Sequence, residues 1–213
     1  MNQSIIVCGA LAASLFIAGC KTEQASSASP KPESTPPSAT KTEPSAVIAS
    51  VTAVPVVAAP ASVRTAIRIK AGVSAPFTDA AGNVWLAEQG FEGGDVIERP
   101  ELEIANTKSP EIYRSEHYAM EAFAWKIPNG KYQVKLHFAE TFEGVAGPGE
   151  RVFSFNVEGR EFKGFDIWKK AGGGQRAYVE TVSLEVLDGA LDIKFISDIE
   201  NPTINGIEII PVL

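Results

Sequence analysis

Three long segments combine aromatic side chains with glycine, and they are the first candidates for chemistry in this sequence. Residues 79–110 contain a tryptophan and a Gly-Gly pair, residues 141–150 contain Phe142, and residues 167–176 contain Trp168 beside three consecutive glycines. Binding residues concentrate in such connecting segments, because a rigid scaffold holds loops whose shape is free to vary. We therefore expect the functional residues of this protein to lie in these segments.

Catalytic groups are a second possibility, because Glu140 could be paired with Glu143 or Glu200 as the two carboxylates of a glycosidase. Acidic residues make up 26 of the 213 residues, however, so such pairs arise freely. The sequence has no Gly-Lys-Ser/Thr phosphate loop, no His-Glu-x-x-His zinc motif and no serine-hydrolase signature. With two cysteines and two histidines it also offers few soft metal ligands. We predict no enzymatic activity, no cofactor and no metal site.

The composition divides the chain into two unlike parts. Seventeen of the 18 aromatic residues lie between Phe77 and Phe195, whereas residues 21–63 contain none and hold seven prolines. Such a segment cannot bury enough apolar surface to offset its chain entropy, which predicts a disordered tether. The net charge of −7 leaves no basic surplus to neutralise phosphates, so we predict no nucleic-acid partner.

The N-terminus has the pattern of a targeting segment. Residues 5–17 form an apolar run of signal-peptide length, followed by Ala-Gly and Cys20. This resembles the bacterial lipobox, which implies that residues 1–19 are a signal peptide and that Cys20 is acylated. An ordinary secretory signal remains the alternative. The tether is then residues 20–63, and the globular domain is residues 64–213.

The lipobox resemblance also implies a location. Acyl chains on Cys20 would anchor the protein to a membrane of the bacterial cell envelope. Lys21, rather than aspartate, follows the cysteine, and by resemblance to known lipoprotein sorting this favours the outer membrane over the inner one.

From residue 64 onward, apolar and polar residues alternate with a period of two. Val134, Leu136 and Phe138 alternate with polar residues, His137 among them, and similar runs recur with Asn-Gly, Glu-Gly and Asp-Gly turns between them. No long stretch shows a helical period. We predict an all-β fold with eight or nine short strands in two antiparallel sheets packed face to face. On this pattern His137 is expected on the surface, and Trp85 and Trp125 in the core.

Six colinear blocks of this region resemble the malectin domain, a carbohydrate-binding family. The resemblance implies a jelly-roll-like β-sandwich over about residues 67–210. The six blocks are Asp79-x-x-Gly82-Asn83-x-Trp85 with Gly90-Phe91-x-Gly93-Gly94, Pro110-Glu111-x-Tyr113-x-Ser115-Glu116-His117-Tyr118, Gly130-Lys131-Tyr132 through Phe138-Ala139-Glu140, Arg151-Val152-Phe153-x-Phe155-x-Val157, Phe165-Asp166-Ile167 and Asn201-Pro202-x-Ile204-x-Gly206.

The resemblance also implies a sugar site at one edge of the sandwich. The family tyrosine falls on Tyr118, the aromatic pair falls on Phe142 and Glu143, and the acid before Asn-Pro falls on Glu200, followed by Asn201. One ring of the pair is therefore lost, and a further family tyrosine has no counterpart. The site is half retained, which leaves both the family's glucose disaccharide and a related glycan open as the ligand.

Each of these residues also has a structural alternative. Tyr118 could pack in the core, Phe142 could cap its loop, Glu143 could be merely solvated, and Glu200 could brace the turn at Asn201. We include as further ligand candidates His117, which borders the tyrosine, and Trp168, either as an exposed platform or as a core residue.

These observations predict non-catalytic binding of an oligosaccharide or envelope glycan by a membrane-tethered lipoprotein. The alternative from a different class is a structural or protein-interaction module that has kept the sandwich and lost the sugar site. The lost ring positions favour that alternative, and its partner would be another protein of the envelope.

Overall fold

The structure, a computed structural model, describes residues 65–212. The predicted signal peptide, the acylated Cys20 and the tether over residues 20–63 lie outside the described residues. Within residues 65–212, no helix has both the length and the apolar character needed to cross a membrane.

A four-stranded antiparallel sheet forms one layer of the domain, in the order β1-β14-β8-β11. The alternation predicted for Tyr132–Phe138 is observed, because Tyr132, Val134 and Leu136 are all buried on one face. These strands are β1 (Ile67–Lys70), β8 (Gly130–Phe138), β11 (Tyr178–Val186) and β14 (Gly206–Pro211).

A five-stranded antiparallel sheet forms the second layer, in the order β10-β9-β12-β7-β4. Side chains of the two layers meet in one core, where the ring of Phe138 from β8 lies 6.1 Å from Phe153 and 4.9 Å from Phe165. This confirms the predicted all-β antiparallel sandwich. The strands of this layer are β4 (Phe91–Glu92), β7 (Ala122–Lys126), β9 (Val152–Val157), β10 (Arg160–Phe165) and β12 (Ala190–Ile199).

Short elements complete the domain. They comprise two further small sheets, a turn of 3-10 helix and one short α-helix inside a predicted glycine-rich loop. The two-residue strands are too short for an alternating pattern, so the sequence analysis did not find them. These elements are β2 (Phe77–Thr78) paired with β3 (Val84–Trp85), β5 (Asp95–Glu98) and β13 (Thr203–Ile204) paired on either side of β6 (Ser115–Tyr118), the 3-10 helix Pro110–Tyr113, and α1 (Ile167–Ala171).

A second buried cluster, around Trp85 and Tyr113, covers the outer face of the four-stranded sheet. The predicted surface position of His137 is therefore wrong: its ring is buried edge-on against Trp85, at 5.2 Å. Glu208 accepts a hydrogen bond from its Nε2 at 3.0 Å, which leaves Nδ1 to accept one from the hydroxyl of Tyr113 at 2.9 Å. Trp85 is buried as predicted, in this second cluster, whereas Trp125 is only half-buried against the main core.

Lys70 of β1 is also buried on this outer face, although it alternates with the apolar Ile69 and Ala71. Its ammonium group donates hydrogen bonds to the carbonyls of Ala71 and Ser115 and to the hydroxyl of Ser115. Burial lowers the pKa of Lys70 to about 7, although nearby glutamates oppose the shift. A polar residue in an alternating strand is thus no proof of a solvent-facing position.

Both termini of the described domain point toward the same end of the four-stranded sheet. Ile67 pairs with Ile209, and the backbone N–H of Val212 donates to the carbonyl of Lys131 near the start of β8. The segments that follow β8 and precede β14 lie at the opposite end of this sheet, since Gly206 pairs with His137.

Candidate functional site

One pocket at this opposite end brings together four of the predicted site residues, Tyr118, Phe142, Glu200 and Asn201. Its volume is about 280 Å³. The remaining lining residues, which the sequence analysis did not select, are Ile97, Arg99, Glu116 and Arg151.

Strand β6 positions the first pocket residue. Glu116 and Tyr118 are two apart in the strand, so both face the pocket, and Tyr118 remains partly exposed at the strand end. Thr203 of β13 pairs with Tyr118, and the N–H of Ala119 donates to the carbonyl of Pro202 at 2.9 Å. This pairing fixes the turn that carries Glu200 and Asn201 beside the tyrosine.

Glu200 occupies an unusual backbone conformation at the pocket rim. Its φ of 61° lies in the left-handed region, which disfavours residues with a Cβ. Oε1 of Glu200 accepts hydrogen bonds from the backbone N–H of Asn201 at 3.1 Å and from its side-chain Nδ2 at 3.3 Å. Glu200 does brace the turn, as the alternative interpretation held, but its other oxygen has no partner among residues 65–212 and the residue is exposed.

A network of charged and polar groups forms one wall of the pocket. Arg99 Nη1 donates to Glu116 Oε1 at 2.9 Å and to Thr141 Oγ1 at 3.0 Å, while Thr141 Oγ1 donates to Glu116 Oε2 at 2.6 Å. Both Glu116 oxygens are thereby engaged. The arginine is only partly buried, and the remaining donors of its guanidinium have no partner among the described residues, so they are available to a ligand.

A second ion pair lies deeper, between Arg151 and Glu140. Arg151 Nε lies 2.7 Å from Glu140 Oε2, and Nη1 donates to the carbonyl of Asn201, which ties β9 to the pocket turn. Burial raises the pKa of Glu140 while the neighbouring guanidinium opposes the shift. Because Glu140 is only 2% exposed and its Oε1 accepts from the backbone N–H of Phe142, it does not present a free carboxylate to the pocket.

Phe142 is the most exposed aromatic ring of the site, at 44% exposure. Its ring edge lies against Gly144, where an added Cβ would be 2.6 Å from Phe142 Cζ. The N–H of Val145 donates to the carbonyl of Phe142 at 3.0 Å, closing a tight turn. The phenylalanine therefore projects from a short, internally bonded loop.

A second concavity, of about 330 Å³, shares Phe142 with the pocket as a lining residue. It contains two further predicted site residues, Glu143, which is exposed, and Trp168, which is half-buried. Its lining residues are Glu140, Thr141, Phe142, Glu143, Val145, Trp168, Gly174 and Gln175.

The structure does not bring His117 to either concavity. It alternates with the pocket-facing residues of β6, is 5% exposed, and stacks on Phe91 with ring centroids 4.6 Å apart. Its Nε2 donates to the carbonyl of Gly93 at 2.8 Å, and Glu88 Oε1 lies 3.1 Å from Nδ1 without hydrogen-bond alignment. Burial would lower the pKa of His117, but Glu88 and the Gly93 carbonyl together raise it above its ordinary value.

We expect Glu88→Gln to destabilise the fold most between about pH 4.5 and 6.5. The raised pKa of His117 gives stability that is complete below its unfolded value of 6.5 and is lost as the pH rises through the folded value. His117 also lowers the pKa of Glu88 against the effect of burial, which gives stability above the unfolded value of 4.5 that is lost as the pH falls. Urea unfolding from pH 4 to 8 should show a loss of about 1 kcal/mol in that window.

A loss that is the same at pH 6 and pH 8 would contradict this reading. The comparison variant is Glu92→Gln, which changes an exposed glutamate of the neighbouring strand β4 and should give no pH-dependent difference.

Among the residues that sequence reasoning missed, only Glu116 carried a local signal. Its spacing of two from Tyr118 in an alternating strand places both on one face. Arg151 begins one of the six motif blocks, but that block does not indicate a place in the pocket, and Arg99 lies in none of the blocks. Both arginines reach the pocket through contacts with residues far along the chain. Within residues 65–212, no group of three or more His, Cys, Asp or Glu is placed to hold a metal ion.

The edge loops of this β-sandwich form a pocket of aromatic, charged and amide side chains. This is the architecture of a ligand-binding module. The malectin domain family matches residues 65–207, and the chain belongs to that family. Family membership indicates a carbohydrate-binding or extracellular module of a non-catalytic kind.

A curated relative is the kinesin-like protein KIN-14R of Arabidopsis thaliana, 29% identical over 121 residues. The match covers 55% of this chain and 11% of that protein, so the shared region is a small part of the relative.

Two solved structures share the fold. The β-glucuronidase of Bacteroides uniformis has a TM-score of 0.63 and 22% identity, over 70% of this chain and 18% of that one. The ANX2 ectodomain of Arabidopsis thaliana has a TM-score of 0.60 and 16% identity, over 69% of this chain and 49% of that one. At these identities the likeness shows the fold alone.

Proposed function

We propose that the domain binds a carbohydrate without acting on it, at the pocket between Tyr118 and Phe142. The observation that carries this proposal is the convergence of Tyr118, Phe142, Glu200 and Asn201 on one concavity, although they come from three separate segments of the chain.

The lining residues suit the chemistry of a sugar. A pyranose ring has apolar C–H faces, which the rings of Tyr118 and Phe142 can cover at small entropic cost. Its hydroxyl groups require directed donors and acceptors. Arg99 and Asn201 supply donors, and Glu200 supplies an exposed acceptor. The paired carboxylate of Glu116 holds the guanidinium of Arg99 in place before a ligand arrives.

Protein binding by the same edge is the second candidate function, and one observation favours it. Strand β5 exposes two aliphatic side chains, Val96 at 49% and Ile97 at 39%, on an outer strand of its sheet. Exposed apolar side chains on an unpaired edge are suited to a protein partner. The absence of a second ring at Glu143 points the same way.

The cellular setting is part of the proposal. The lipobox-like sequence ending at Cys20 and the proline-rich residues 20–63 support a domain tethered by acyl chains in a bacterial envelope, with the outer membrane favoured. Clustering of tethered copies on a membrane would raise the avidity of a weak single site.

An array of oligosaccharides and envelope polymers, probed with the whole chain, tests the function. We expect binding that Tyr118→Ala and Phe142→Ala each weaken about tenfold, because each removes roughly 1.4 kcal/mol of ring contact. Leu187→Ala is the matched control, since Leu187 is 74% exposed and lies outside the pocket.

Two outcomes would contradict the proposal. One is a folded protein with no bound glycan at millimolar concentration. The other is glycan binding that both pocket variants leave unchanged. In the first case capture of a protein partner through Val96 and Ile97 becomes the better account, and in the second the glycan binds outside the pocket.

A further inference from the structure

We infer that the ligand-binding site continues past Phe142 into the second concavity, so that the ligand is an oligosaccharide with further sugar units lying against Trp168. This inference rests on the proposed function, and it adds a second subsite and the length and charge of the ligand. Phe142 lines both concavities and is 44% exposed. The first, at about 280 Å³, is slightly smaller than the ~300–1,000 Å³ typical of ligand sites, and the second, at about 330 Å³, is at the low end of that range.

Trp168 is held rigidly, as a binding platform requires. It lies in α1, whose first turn is capped by Asp166, which accepts from the N–H of Lys169 at 3.0 Å. Its carbonyl accepts from the N–H groups of Gly172 at 3.0 Å and Gly173 at 2.9 Å. A Cβ on Gly174 would lie 2.7 Å from Trp168 Cζ3, so this glycine allows the backbone to lie on one part of the ring. The tryptophan is fixed before a ligand binds, which lowers the entropic cost of binding.

Gln175 adds a polar group where the backbone favours glycine. Its φ is 54°, its N–H donates to the carbonyl of Glu140 at 2.8 Å, and its carbonyl accepts from Ala105 at 2.9 Å. The backbone is thus held in a strained conformation, while the exposed side chain has no partner among residues 65–212. Strain retained at a concavity is a pointer to binding, and an amide can both donate to and accept from sugar hydroxyls.

The charge of the two concavities sets the kind of sugar. The first is lined by two arginines and two glutamates, whereas the second has no basic side chain among its lining residues. Glu140 is buried and paired with Arg151, so the free carboxylate of the second concavity is that of Glu143. A sugar acid in the second subsite would be repelled by the Glu143 carboxylate. The unit bound against Trp168 is therefore neutral, and its hydroxyls face Glu143 and Gln175.

Calorimetry with neutral oligosaccharides of increasing length tests this inference on the whole chain. The probes are the disaccharide and tetrasaccharide of α-1,4-linked glucose and the same pair of β-1,4-linked glucose. We expect one tetrasaccharide to bind at least tenfold more tightly than its disaccharide. Trp168→Ala should abolish that gain and leave disaccharide affinity unchanged, whereas Tyr118→Ala should weaken both.

Gln175→Gly distinguishes a loss of ligand contact from a loss of folding. It relieves the backbone strain, so we expect a higher Tm together with a several-fold weaker tetrasaccharide affinity, which loss of folding cannot produce. Leu187→Ala should change neither.

The outcomes separate the two proposals. The second subsite is overturned if disaccharide binding depends on Tyr118 but the tetrasaccharide binds no more tightly than the disaccharide. It is also overturned if Trp168→Ala weakens the binding of the disaccharide and the tetrasaccharide equally. Either result leaves the proposed function standing. If neither disaccharide nor tetrasaccharide of either linkage binds at millimolar concentration, the sugar-binding function fails for neutral glucans and the second subsite fails with it.

Discussion

Replacing Arg151 with methionine is expected to lower the free energy of unfolding by about 3–5 kcal/mol. The side chains of Arg151 and Glu140 are 5% and 1% exposed, and their ion pair is 2.7 Å long. Removal of the guanidinium leaves a buried carboxylate without its partner, and Asn201 loses a donor to its carbonyl. Urea unfolding at pH 7 measures the loss.

The pH dependence of this loss identifies its cause. Burial already raises the pKa of Glu140 against the effect of the arginine, so without the arginine the carboxyl takes up a proton more readily. The deficit of Arg151→Met relative to the wild type should therefore shrink as the pH falls toward 5. The double variant with Glu140→Leu should recover part of the stability at pH 7, because no charge then remains buried.

An exposed ion pair provides the control for Arg151→Met. Lys163 Nζ lies 2.8 Å from Glu161 Oε2, but both side chains are exposed to solvent. Lys163→Met should give no resolvable change in unfolding, since solvent screens such pairs. If Arg151→Met behaved in the same way, Glu140 would have to reach water in the variant, and the ion pair would not be a buried support of the pocket turn.

Gly94→Ala is expected to cost about 3 kcal/mol or more, for two reasons that add. The φ of Gly94 is +79°, which costs a residue with a Cβ about 1–2 kcal/mol. The Cβ would also lie directly against the carbonyl of Tyr118 and 2.7 Å from the N of Met120, so the backbone after β6 would have to move. Thermal unfolding measures the loss, and weaker glycan binding should accompany it, because Tyr118 moves with that backbone.

The neighbouring glycine separates these two reasons. Gly93 has a φ of +68°, but the nearest atom to an added Cβ is Glu121 Cγ at 3.4 Å. Gly93→Ala should therefore cost only about 1 kcal/mol, from the backbone conformation alone. Equal losses at the two positions would show that close packing against β6 contributes nothing.

The layers of the fold could be predicted from sequence because their signal is local. Alternation in β8, β9 and β12 reports which face each strand buries, and the turns between strands are marked by glycine. His137 and Lys70 show the limit of this signal. Their side chains point away from the main core, yet Trp85 and Tyr113 cover His137, and Ser115 binds Lys70. Alternation within one strand cannot report which distant segments cover a sheet.

The candidate site was likewise predictable only where the signal in the sequence is local. Tyr118, Phe142, Glu200 and Asn201 were found through their places in motif blocks, and the structure brings them to one pocket. His117 sits next to Tyr118 in sequence, but a strand turns adjacent residues to opposite faces. Arg151 was missed because its role depends on partners that come together only when the chain has folded.

The position of the chain ends relative to the pocket has a consequence for how this domain can be built into larger proteins. Both ends of residues 65–212 leave near the start of β8, and the pocket opens where β8 finishes. A segment joined at either terminus is therefore attached on the far side from the pocket. The domain can be fused into chains of quite different length and purpose with the pocket still open to solvent.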